Sequence, residues 1–221
     1  MNRIKNAMKL DFYAGKSLLK MVAVLVVIAL IVGVAAHGPT YGMFLTMIFG
    51  VTSCGSVFSV HERNHSDKLY GILPLRKSEM IAGRYLYALI IGFAYIIAAG
   101  IMGFVIWKAL GANAKVTALS YWATLGLGFV YFCFATGVSY PIYFKFSFAK
   151  ANIFTMVPMY IIAVLYLVLT RRTNVASDFT NITGFFRDHI YLAPIFGLIG
   201  GLILLAVSAI IANLIYTRKE I

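Results

Sequence analysis

The sequence predicts an all-α fold of the polytopic membrane kind. It reads as one domain over 1–221, with six transmembrane helices, an amphipathic interfacial helix at the N-terminus and a short helix in a cytoplasmic loop. Three observations predict it. The chain is 62% hydrophobic and only 12% charged, whereas soluble domains carry roughly a quarter charged residues. Its apolar residues gather in runs near the ~20 residues that a helix needs to cross a bilayer. Its charges lie between those runs. In a soluble protein a net charge of +12 would suggest nucleic acid. Here lipid headgroups and topology account for it, and no nucleic-acid partner is expected. Cys54 and Cys133 lie in separate apolar runs and form no disulfide framework.

Residues 1–17 come first. At helical spacing Ile4, Met8, Phe12 and Leu19 share one side, with Lys5, Lys9, Lys16 and Lys20 beside them. This is the pattern of a basic helix lying on the inner leaflet. Asp11 interrupts the stripe, so a solvated basic tail held near lipid by charge alone is the alternative. Gly15-Lys16-Ser17 ends like a P-loop, but Leu10 stands where the first glycine belongs and no strand-like run precedes it.

The spans are expected at 18–36, 42–60, 82–107, 118–140, 151–170 and 193–216. The first resembles a signal peptide, ending in Val34-Ala35-Ala36. Its 20-residue basic lead and the five spans after it favour a retained helix over a cleaved signal. Fourteen of the nineteen Lys and Arg fall in the N-terminus, the second and fourth loops and the tail. That asymmetry places both termini in the cytoplasm of a plasma-membrane protein. Arg171-Arg172 opposes it locally. The external loop 171–192 carries Phe185, Phe186, Ile190 and Tyr191, which suit a short buried helix, and the sequon Asn181-Ile182-Thr183. The span interiors hold no Asp, Glu, Lys, Arg or His, which disfavours a proton-coupled carrier. Energy for uphill movement would come from outside the membrane.

His61-Glu62-Arg63-Asn64-His65 is a literal H-E-x-x-H. On a helix, that spacing lets two imidazoles bind zinc beside a general-base glutamate. A third ligand is needed. His37, His189, Asp178 and Asp188 fall across the membrane, Asp67 lies off the shared face, and Asp11 and Glu220 sit in terminal segments with nothing to fix them. An intramembrane zinc metalloprotease is therefore kept only as an alternative, with no metal ligand assigned.

The same loop also reads as a docking element. Ser66 caps a short helix Asp67–Leu73, Asp67 favours its dipole, and Pro74 stops it. Leu69, Ile72 and Leu73 form its apolar side, with Glu62 and Lys68 at the rim. Ser78 and Glu79 then open the third span. The pattern fits equally a helix inserted into a groove on a soluble partner and one lying flat on the membrane.

The stretch HERNHSDKLYGILPLRKSEMIAGRYL resembles the first cytoplasmic loop of ABC-2 type ABC-transporter permeases. The resemblance rests on Glu62-Arg63, Lys68-Leu69, Leu73-Pro74, Arg76-Lys77 and Arg84-Tyr85. Near Asn64–His65 the family more often has a glycine. The six spans, cytoplasmic termini, interfacial helix and long last external loop extend the resemblance over the whole chain. It implies a bacterial membrane subunit that pairs with a second permease, identical or homologous, and sits on separate ABC ATPase subunits. ATP and Mg would bind those partners, leaving this chain without a cofactor. The coupling residues so implied are Glu62, Asp67, Lys68, Leu69, Tyr70, Ile72, Leu73 and Pro74. Small permeases of this kind imply export of amphipathic or antimicrobial peptides, including phenol-soluble-modulin-type toxins. A non-transporting peptide-immunity protein is a further alternative.

In the second span Thr52, Gly55, Ser56 and Ser59 make a small, weakly polar face. It suits either a substrate pathway or close helix packing. Gly197-x-x-x-Gly201 in the last span reads as packing.

Overall fold

A computed structural model describes residues 2–16, 19–64, 77–111, 117–146, 148, 150–153, 155, 160–161, 164 and 192–217. The principal helices are α1 (Asn2–Lys16), α2 (Leu19–Ala35), α3 (Pro39–Arg63), α4 (Lys77–Leu110), α5 (Ala118–Lys145) and α6 (Leu192–Thr217). Within α3 to α6, the stretches Pro39–Arg63, Ser78–Leu110, Ala118–Lys145 and Pro194–Tyr216 are long and apolar enough to cross a membrane. The apolar part of α2, Val22–Ala35, is shorter. The expected fifth span 151–170 lies largely outside the described residues. The helix at 67–73 and the external loop 171–192, all but its last residue, lie outside them.

α3 to α6 overrun their expected ends, while α2 stays within its own. α4 begins at Lys77 rather than 82, and α5 continues through Pro141 to Lys145 rather than stopping at 140. Hydropathy marks the lipid-length part of a helix, but backbone hydrogen bonding carries the helix on into the interface. The start of α5 is set locally by a capping box, in which the Thr117 hydroxyl accepts from Ser120 N–H and the Ser120 hydroxyl from Thr117 N–H.

α2 and α3 form a tight hairpin. Only Ala36, His37 and Gly38 join them, His37 takes a left-handed φ of 50°, and Gly38 N–H bonds back to Gly33 O. Pro39 opens α3, where its missing N–H is tolerated. The pair can close because Gly33 and Gly42 face each other, and a methyl on Gly42 would lie 2.9 Å from Ala29 O. The far side of α2 exposes Val24, Val27, Ile28 and Ile31, as a lipid-facing surface does.

α3 and α5 form the interior, with Phe44, Cys54, Phe58, Phe129, Phe132, Tyr140 and Phe144 in one apolar cluster. α5 and α6 cross where Gly197 meets Gly126, and a Cβ on Gly197 would lie 2.6 Å from Gly126 O. Gly201 fits against Cys133 and Phe129. The packing reading of Gly197-x-x-x-Gly201 agrees with this geometry. Polar side chains tie the helices together from within. Ser208 Oγ donates to Gly137 O at 2.6 Å, so its single proton is committed and Tyr85 O–H must donate to Ser208 Oγ, also at 2.6 Å. That chain joins α4, α6 and α5. Ser53 and Tyr95 pair at 2.7 Å between α3 and α4.

Candidate functional site

α1 lies across the ends of α3 and α4, and one acidic residue fixes it there. The face it buries carries Ile4, Met8, Asp11 and Gly15, at spacings of four, three and four. Asp11 is 1% exposed, the most buried residue of the helix whose side chain is described. Gly15 makes room for the Tyr87 hydroxyl, which would lie 2.7 Å from a Cβ there. Phe12 sets its ring edge-on to Tyr87 at 5.1 Å. Lys5, Lys9 and Lys16 point outward.

Asp11 Oδ1 lies 3.4 Å from His61 Nε2 of α3 and 4.0 Å from Arg84 Nε of α4. Both partners are themselves buried. The Arg84 guanidinium lies over Phe58, 4.4 Å from the ring centroid, and 5.3 Å from that of Phe144. These ring faces stabilise a cation held away from water. Burial pushes the Asp11 carboxyl up to about 6, while Arg84 pulls it back. His61 Nδ1 lies 2.8 Å from Val57 O. A carbonyl can only accept, so Nδ1 carries a hydrogen and Nε2 is left facing the carboxylate.

This geometry corrects two expectations. Asp11 neither lies loose in a terminal segment nor breaks the buried face of α1; it is the centre of that face. His61 and Glu62 are helical, in the last turn of α3, rather than loop residues. The H-E-x-x-H residues that are described have other work. His61 meets Asp11, and Glu62 Oε2 accepts from Phe148 N–H at 2.6 Å, where the chain re-enters helix after α5. A zinc ion drawn to His61 and Asp11 would meet the Arg84 cation beside the carboxylate. Among the described residues no group of three or more His, Cys, Asp or Glu could hold a metal ion. His65 is not described.

Of the expected coupling residues only Glu62 is described; Asp67, Lys68, Leu69, Tyr70, Ile72, Leu73 and Pro74 lie outside the described residues. On the face of Thr52, Gly55, Ser56 and Ser59, Gly55 is buried and the other three are half-buried. The Thr52 and Ser56 hydroxyls bond their own helix at Phe49 O and Thr52 O, which hides their polarity. A Cβ on Gly55 would lie 3.3 Å from the Tyr143 hydroxyl. That hydroxyl pairs with Thr155 at 2.8 Å. The face is therefore partly committed to packing.

Sequence reasoning missed the cluster of Asp11, His61 and Arg84 because its members come from three helices. One signal was present: a stripe through positions 4, 8, 11 and 15 puts the only acid of the N-terminal segment at the middle of a helix face.

No curated protein and no solved structure matches the chain. The family described as ABC-2 family transporter protein matches residues 8–217. That span runs from the middle of α1 to the end of α6, so it takes in the Asp11 junction and every apolar helix described above. The chain belongs to the ABC-2 transporter permease family.

Proposed function

We propose that this chain is the membrane half of an ATP-driven exporter. It crosses the plasma membrane six times with both termini in the cytoplasm, and couples to separate ATPase subunits through residues 62–74. The observation that carries the reading is family membership across nearly the whole chain. The site adds support. In sequence, α3 is followed by the basic loop containing Lys68 and Arg76, and α4 opens at Lys77. The end of α3 that enters this loop is held to α1 by His61 and to the chain after α5 by Glu62. A push on the loop would thus reach three elements at once. A groove on an ATPase subunit would receive Leu69, Ile72 and Leu73, and the outward lysines of α1 would rest on anionic headgroups.

The pore would form between two permeases, with the Thr52, Gly55, Ser56 and Ser59 face turned towards it. An apolar wall with few, internally bonded hydroxyls suits amphipathic peptides better than ions. The test is reconstitution in proteoliposomes with ABC ATPase subunits from the same host. Amphipathic peptide should raise ATP hydrolysis, and its transport should require ATP. Peptide movement that is indifferent to ATP would exclude the reading.

A further inference from the structure

We propose that Asp11 and His61 form a buried site for one proton, and that occupancy of this site fastens α1 to the ends of α3 and α4. The geometry assigns it. Asp11 Oδ1 is buried and accepts no well-aligned hydrogen bond among the described residues, yet His61 Nε2 stands 3.4 Å away. His61 Nδ1 already donates to Val57 O. With one proton between them, either Asp11 is neutral and offers O–H to Nε2, or an imidazolium faces a carboxylate. Both forms attract. Without that proton a bare carboxylate faces the Nε2 lone pair, and Arg84 at 4.0 Å is left to offset the buried charge.

Among the described residues, these titratable groups surround the carboxylate. His61 and Cys54 face it from α3, Arg84 and Tyr87 from α4, and Tyr140 from α5. Burial holds the Asp11 carboxyl at about 6 in the folded protein, against 3.8 for a free side chain. A raised value means that the folded form takes up the proton more readily than the unfolded one. The stability this adds is complete below about 3.8 and is lost as pH rises through about 6. Acidification on this side of the membrane therefore seats α1, and alkaline pH loosens it.

The test uses the full chain in lipid nanodiscs, spin-labelled at Tyr13→Cys on α1 and Ala109→Cys near the far end of α4, both exposed positions. In the wild-type background the interlabel distance should be narrowly distributed at pH 5 and broad or shifted at pH 8. Asp11→Asn, a permanent neutral mimic, should be narrow at both. A wild-type distribution unchanged from pH 5 to 8 would overturn the proposal, as would a pH response that survives in Asp11→Asn. If Asp11→Asn fails to insert, the wild-type series decides alone. His61→Gln then gives a second reading, with its transition expected to move by half a pH unit or more if the imidazole shares the proton. An unmoved transition would count against the site.

Discussion

Arg84 is the residue on which the α1 junction turns. Its guanidinium is held over Phe58 and Phe144 and faces a carboxylate with almost no water. Removing one partner of a buried pair leaves the other uncompensated, at a cost of about 3–5 kcal/mol. Arg84→Met should lower stability by that amount in detergent thermal unfolding. Asp11→Asn should also lower stability, because the amide keeps the shape but leaves the buried Arg84 cation without its carboxylate. The double variant should recover most of the Arg84→Met loss, and simple additivity of the two changes would show that the pair does not interact. Glu62 is different. Its bond to Phe148 N–H is exposed, so Glu62→Ala should cost about 1 kcal/mol.

At the scale of the helix, close approach is set by glycine. A methyl on Gly197 would strike the α5 backbone at Gly126, whereas one on Gly200 meets nothing within 4 Å. Gly197→Ala should therefore destabilise the α5–α6 pair by about 1–3 kcal/mol, and Gly200→Ala should be neutral or mildly stabilising. Equal effects from the two, measured by thermal unfolding side by side, would contradict the crossing described. The apolar helices were legible in the sequence because lipid demands long apolar runs. Their ends were not, because the turns beyond those runs look like loop. Ile142–Lys145 mixes polar and apolar residues, and the packing of Tyr143 and Phe144 keeps it helical, whereas the start of α4 was marked only by Ser78 and Glu79. Asp11 was misread for a related reason. Periodicity reports which residues share a face, but the partners that make an acid welcome on it, His61 and Arg84, lie 50 and 73 positions away.

At the scale of the molecule, the described part is a bundle built around α3 and α5, clasped at one end by α1. The charge distribution fixes how it should sit. Reporter fusions after Glu220 and within the loop at Asn113 should read opposite sides of the membrane, since fourteen of nineteen basic residues fall on the Glu220 side. Matching readouts would rule out the six-span arrangement. We propose that the loop after α3 transmits ATPase movement to this bundle. Burying one leucine is worth about 1.5–3 kcal/mol, and Leu69→Asp would forfeit it and bring a charge into an apolar groove. The direct measurement is co-purification and peptide-stimulated ATP hydrolysis in proteoliposomes, comparing wild type, Glu62→Ala and Leu69→Asp. Leu69→Asp should insert and fold normally yet lose the ATPase, or hydrolyse ATP without moving peptide, while Glu62→Ala stays near wild type. Full ATPase binding and full export by Leu69→Asp would contradict the account.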